Sequence, residues 1–181
     1  MKNLTMIAIV AVAMAFAACG NQGSNTDGGK GKNETKADGK VAYETFTVEK
    51  YGASFDLPKG MRRTDNPQMD DGGVWTFVPE DYFFAVDAAV EFGVHESMWG
   101  DYDDEKIQRE FDEDIPAEAV KKLDLAKKEY TYSVGEDIKE VHRVVFKGNQ
   151  YIHVMVSYTD EYASKLGGEV CDHILNSAKF N

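Results

Sequence analysis

The stretch Ile138-Lys139-Glu140-Val141-His142-Arg143-Val144-Val145-Phe146-Lys147-Gly148-Asn149-Gln150-Tyr151-Ile152-His153-Val154-Met155-Val156-Ser157-Tyr158 reads as two strands folded back on each other. Gly148-Asn149 is a Gly-X dipeptide suited to a two-residue type II′ turn, whose first central residue needs φ > 0. That turn fixes a register: Lys147 faces Gln150, Val145 faces Ile152, Arg143 faces Val154 and Val141 faces Val156. Side chains alternate along a strand, so these pairs share one face of mostly branched aliphatics, a core face. The opposite face pairs Phe146 with Tyr151, Val144 with His153, His142 with Met155 and Glu140 with Ser157. It is apolar at the turn and polar further away, so both faces are expected to be at least partly covered.

Working outward, alternation marks further strands. Thr45-Phe46-Thr47-Val48 and Ala53-Ser54-Phe55-Asp56-Leu57 flank Tyr51-Gly52 and predict a first hairpin, ended by Pro58-Lys59-Gly60. Residues 61–73 are polar, hold Pro67 and two glycines, and read as a loop. Val74-Trp75-Thr76-Phe77-Val78 is a strand closed by Pro79. Beyond it runs the longest alternation in the chain: Phe84, Val86, Ala88, Val90, Phe92 and Val94 point one way, and Ala85, Asp87, Ala89, Glu91, Gly93 and His95 the other. Residues 128–134 read as a strand, with Gly135-Glu136-Asp137 turning into the central hairpin. After Thr159, a candidate N-cap, Ala163, Leu166, Val170 and Ile174 mark one face of a closing helix that Gly167-Gly168 bends. Ser177-Ala178-Lys179-Phe180 reads as an extended tail with Phe180 in the core.

The acidic run Asp101-Tyr102-Asp103-Asp104-Glu105 places carboxylates at the first, third and fifth positions of a calcium loop, with Asp112 at the twelfth. Lys106, however, stands where the sharp turn requires Gly, and Asp112 replaces the bidentate Glu. A helix start explains more. Asp residues ahead of Ile107 and Phe111 cap a helix and face its positive end, with Glu105 and Arg109, and Lys106 and Glu110, at i,i+4 spacing. Pro116 ends that helix and is expected to open a short second one over residues 117–123.

At the N-terminus, Lys2 precedes an apolar run over residues 4–18 broken only by Thr5. About 15 residues is short for a spanning helix and right for the hydrophobic part of a secretory signal. The end of the run, Phe16-Ala17-Ala18-Cys19-Gly20, resembles the lipobox of bacterial lipoproteins, with Phe16 where Leu is usual. The resemblance implies a signal peptide over residues 1–18, cleavage before Cys19, and acylation of Cys19 as the membrane anchor; two or three acyl chains hold stably where one is marginal. The alternative is ordinary cleavage at a site such as Ala15-Phe16-Ala17, leaving a secreted soluble protein. Residues 19–40 comprise that cysteine and a stretch with six glycines and no large apolar residue. Such a stretch reads as a disordered tether spanning roughly 25 Å. Residues 41–181 then form a single domain, within the ordinary size range.

The formal charge of -12 argues against nucleic acid as a partner, because a polyanion needs clustered Lys and Arg. Lys121-Lys122 and Lys127-Lys128 read as a solvated face. With Cys19 acylated, Cys171 has no partner for a disulfide; beside Val170 and Ile174 it reads as a buried small hydrophobe.

Hairpin, loop, strand, long strand, helices, three-strand meander and terminal helix make an α+β fold: an antiparallel sheet of about six to seven strands covered by helices. This order, the segment Tyr51-Gly52-Ala53-Ser54-Phe55-Asp56-Leu57-Pro58-Lys59-Gly60-Met61 and the Lys147-Gly148-Asn149-Gln150-Tyr151 turn resemble the PsbP/DcrB-like α/β sandwich. That group is known from photosystem-associated proteins and small bacterial envelope lipoproteins. Met61 stands where Trp is common. The resemblance implies an accessory or binding protein, as most relatives have no established catalytic centre.

The residues themselves carry no Ser-His-Asp spacing, no Gly-rich phosphate loop, no Cys-His metal cluster and no cofactor motif. Ser157 lies four residues from His153 along one strand, about 13 Å away and too far for proton transfer. The expected function is therefore a non-enzymatic module of the bacterial cell envelope, anchored to membrane lipid through Cys19 and binding another envelope protein or a small ligand. The alternative is a copper-like metal site on the face carrying His142, His153 and Met155, since imidazole and thioether together favour copper. Against it stands a plainer role for the same residues, two half-buried histidines bonding their neighbours and a core methionine.

Overall fold

The computed structural model describes residues 41–64, 72–81 and 88–181. The first hairpin is β1 (Tyr43–Val48) and β2 (Ala53–Pro58), joined through one 3-10 turn. Next come β3 (Met61–Arg63), β4 (Gly72–Pro79) and β5 (Ala88–Glu96), then α1 (Asp104–Glu113). A meander of β6 (Val120–Asp124), β7 (Glu129–Val134), β8 (Lys139–Lys147) and β9 (Gln150–Tyr158) follows. The chain closes through α2 (Ala163–Leu166), α3 (Glu169–Ser177) and β10 (Lys179–Phe180).

β8 and β9 pair in the register that their turn dictates, with Val145 opposite Ile152, Arg143 opposite Val154 and Phe146 opposite Tyr151. Gly148 takes φ +62°, the conformation a first central turn residue of type II′ must adopt and an L side chain resists. β9 also pairs along its length with β5, so a seven-stranded antiparallel sheet runs β3-β4-β5-β9-β8-β7-β6. The first hairpin is not part of it. β1, β2 and β10 form a separate three-stranded sheet.

Each face of the large sheet has its own core. On one, Ala88, Val90, Phe92 and Val94 of β5 and Ile152, Val154 and Val156 of β9 pack with Phe55 and Leu57 of β2 and with Leu166, Val170, Ile174 and Leu175 of the closing helices. Its centre is aromatic: Phe55 stacks on Phe92 at 4.5 Å between ring centroids, and Phe46 meets both Phe55 and Phe77 edge-on. On the other face α1 covers the turn end of the central hairpin, bringing Tyr102 and Ile107 against Tyr130, Val144 and Phe146.

Several expectations are corrected. Residues 61–73 are not all loop, because Met61–Arg63 pair with β4 at the sheet edge and Gly72 and Gly73 begin β4 itself. The short helix expected over residues 117–123 is instead strand β6, paired with β7; the backbone bonds to a neighbouring strand outweigh the weak helical preference of so short a segment. The closing helix is broken into α2 and α3 at Gly167-Gly168, and Thr159 makes no side-chain capping bond. Phe180 is half-buried against the first core, in β10. Residues 1–40, which hold the apolar run, Cys19 and the tether, lie outside the described residues, as does the part of the long alternation before Ala88.

Arg143 breaks the aliphatic pattern of its face for a reason the fold supplies. One guanidinium nitrogen donates to the carbonyls of Leu175 (2.7 Å) and Ala178 (2.9 Å), free acceptors at the end of α3, and the other pairs with Glu129. The terminal carbonyls of a helix need such donors, and a planar fork can serve them and a carboxylate together. Arg143→Ala is expected to lower unfolding stability in urea by about 3 kcal/mol, since it leaves both carbonyls without their donor and Glu129 with only the more distant Lys127. Arg143→Lys should lose less, and equal losses for the two variants would contradict this role.

Candidate functional site

Three of the chain's four histidines meet on the face of the sheet that carries α1. His142 (β8) and His153 (β9) are one cross-strand step out of line, as alternation requires: His142 faces Met155, and His153 faces Val144. Their rings lie with centroids 5.2 Å apart, and His142 Nδ1 is 3.0 Å from His153 Nε2. On the outer side Tyr132 of β7 stacks flat on His142, 4.1 Å between centroids and 5° between planes. On the inner side stands His95 of β5, two residues beyond Gly93, which is the cross-strand partner of His153. That His95 joins this row was not legible in the sequence, because the β5–β9 pairing links segments with no local relation.

Burial governs the protonation of this row. His142 and His153 are both held neutral, their pKa values pushed down to about 4 by loss of hydration, and for His153 also by the neighbouring His142 and His95. His95 is shifted down by burial as well. Glu140 Oε2 lies 3.4 Å from His142 Nε2 but is not aligned to hydrogen-bond it, and that nitrogen has no hydrogen-bond partner among the described residues. Glu140 sits at the rim, where water screens its charge, so the cost of burying an imidazolium prevails.

The remaining sequence candidates resolve differently. Asp103 caps α1, its carboxylate accepting from Lys106 N at 2.8 Å, and Asp104 through Asp112 are helical. The twelfth position of the supposed calcium loop therefore lies about 12 Å along the helix from Asp104, too far to close on one ion. Lys106 turns its ammonium to Ser97 Oγ, 2.7 Å away. Cys171 is buried, with its thiol pushed up to about 12, as befits a core residue and not a nucleophile. Among the described residues no group of three or more His, Cys, Asp or Glu is placed to hold a metal ion, and no helix is long and apolar enough to cross a membrane.

Two features escaped the sequence. His173 Nε2 lies 3.1 Å from Asp56 Oδ2, with Tyr43 stacked on its ring, beside a shallow surface recess. Met98 and Trp99, at the end of β5, are 88% and 86% exposed. Their loop is nonetheless held: Trp99 N donates to Ser97 Oγ (3.1 Å), Ser97 N to Asn149 O (2.7 Å) and Tyr102 N to Gly148 O (2.7 Å).

A solution structure of cyanobacterial PsbP from Synechocystis sp. PCC 6803 superposes with a TM-score of 0.53 at 13% identity, covering 82% of this chain and 98% of that one. The domain has a PsbP-like α/β fold. A crystal structure from Bacteroides thetaiotaomicron matches with a TM-score of 0.51 at 11% identity over 76% of this chain; the match spans about half, 48%, of that protein. No family model matches the sequence, and no curated protein does.

The histidine row makes stability depend on pH. In the unfolded chain a histidine titrates near 6.5, whereas His142 and His153 do so at about 4 in the fold, so between these values the unfolded state binds more protons. Stability should therefore be complete above pH 6.5, fall as the pH drops towards 4, and lose nothing further to these two groups below that. Urea titrations across this window should show a smaller fall for His142→Gln and His153→Gln than for the unmodified protein. The same fall in all three would exclude the histidines as its source.

Proposed function

We propose that the protein is a non-enzymatic docking module of the bacterial cell envelope, anchored to a membrane through acylated Cys19. It engages a partner protein through the loop that carries Met98 and Trp99. The observation that carries the docking reading is the combination of exposure and fixation in that loop. Two large apolar side chains stand in water on a backbone pinned at Ser97 and Tyr102 to the turn of the central hairpin. Leaving them exposed gains the fold nothing, since each would contribute about 1.5–3 kcal/mol if buried. Presented rigidly, they lose little conformational entropy on being covered, and Trp is the residue most often found at the energetic centre of interfaces.

The surroundings describe the partner. Glu96, Asp101, Asp103, Asp104 and Glu105 are exposed around the loop, so a complementary surface is an apolar pocket rimmed by Lys or Arg. The PsbP-like fold supports an accessory role. The anchor rests on the apolar run before Cys19, and a glycine-rich tether allows the domain to reach its partner.

Two measurements test this reading. Cys19→Ala should move the protein from the membrane to the soluble fraction; retention in the membrane would refute the lipid anchor. A photo-crosslinker at position 99 in intact cells should give one discrete adduct with an envelope protein, and a crosslinker at exposed Asp137 none. No adduct at position 99, or the same adducts at both, would contradict docking through the loop.

A further inference from the structure

The histidine row has a geometry that folding alone does not require. His142 is 5% exposed, yet its Nε2 lacks a hydrogen-bond partner among the described residues, a costly condition for a buried polar atom. The position of Glu140 fixes how the ring must be protonated. Were Nε2 the bare nitrogen, its lone pair would face a carboxylate oxygen 3.4 Å away, a repulsive contact. The favourable tautomer puts the proton on Nε2, towards Glu140, and leaves the Nδ1 lone pair directed at His153 Nε2, 3.0 Å away. The nearby carboxylate charge thus favours the tautomer that bares Nδ1, the same electrostatic bias that outer-sphere carboxylates exert on metal-binding histidines.

We infer that His142 Nδ1, His153 Nε2 and the thioether of Met155 form a binding site for copper(I). The two nitrogens face each other at 3.0 Å from adjacent strands, so an ion would take the place of the proton they share. Met155 is the cross-strand partner of His142 and lies two residues from His153 on β9, hence on the same face as both. The donor set selects the ion. Two neutral imidazoles and a thioether are soft and uncharged, which suits copper(I). Zinc would require further His, Cys, Asp or Glu ligands, and these are not gathered among the described residues. Calcium and magnesium would require oxygens.

The proton balance is simple. His142 keeps its proton on Nε2. The proton that His153 Nε2 shares with His142 in the empty site leaves to solvent as another is taken up at His153 Nδ1, so binding at neutral pH neither releases nor consumes protons overall. Gly93, beside His153, contributes by having no side chain: a Cβ there would meet His95 Nε2 at 2.7 Å. The absence of that Cβ lets the His95 ring lie over the strand next to the site.

The test is titration of the full chain, carrying Cys19→Ala and Cys171→Ala to remove thiols, with copper(I) in ascorbate against a colorimetric copper(I) chelator. One equivalent should bind, with an X-ray absorption signature of two nitrogens and one sulfur, and zinc should not displace it. His142→Gln or His153→Gln should abolish binding. Glu140→Gln, which touches no metal, should weaken it by about 10- to 100-fold. Met155→Leu preserves volume and should remove the sulfur signal even if some affinity remains. Failure to bind one equivalent, a sulfur signal that survives Met155→Leu, or affinity unchanged in the histidine variants at unaltered circular dichroism would each overturn the site. None of these outcomes bears on docking at Met98 and Trp99, which lies at the end of β5 and has its own readout.

Discussion

Strand β9 cannot slip. It is hydrogen-bonded to β5 on one side and to β8 on the other along residues Gln150–Tyr158, and each of its faces lines a different environment. Ile152, Val154 and Val156 enter the core beneath the closing helices, while Tyr151 packs against the core under α1 and His153 and Met155 share that second face. A shift by one residue would exchange these sets and put imidazole and phenol groups where fully buried aliphatics now sit. Because polar groups cannot be buried without partners, this alternation fixes the register of the strands on both sides at once.

The rest of the fold follows from covering the two faces. The three-stranded sheet and α3 close the first core, and Arg143 reaches from β8 to the final carbonyls of α3, so that the helix end is tied to the sheet it covers. On the opposite face α1 is short, ten residues, and covers only the turn end of the hairpin. The row of Tyr132, His142, His153 and His95 continues beyond it.

The legible parts of the sequence were those governed by local pattern. Gly148-Asn149 and strict alternation on either side were enough to define the central register, and the Asp residues ahead of Ile107 were enough to predict a helix start, whose cap the structure puts at Asp103. Relations between distant segments were not legible. Nothing near His95 indicates that β5 lies beside β9, and the aliphatic face of β8 contains Arg143 for the sake of a helix more than thirty residues later. Met61-Arg62-Arg63 is too short and too polar to declare itself a strand; its pairing comes from β4. Residues 117–123 show the opposite failure: a proline followed by helix-compatible residues suggested a helix, and the open edge of β7 decided for a strand. The exposure of Trp99 had no signal either, because a tryptophan after a long strand is more often buried.

The PsbP-like order of elements is thus a scaffold in which one strand sets everything that surrounds it, and the candidate histidine site is a by-product of that strand's second face. The most direct test is nuclear magnetic resonance of the domain, reading backbone cross-strand contacts and amide exchange together. The account requires contacts between Val145 and Ile152 and between Val94 and Ile152, with the amides of β9 among the slowest to exchange. Contacts displaced by one residue on either flank, or rapid exchange through β9 while the outer strands stay protected, would contradict it.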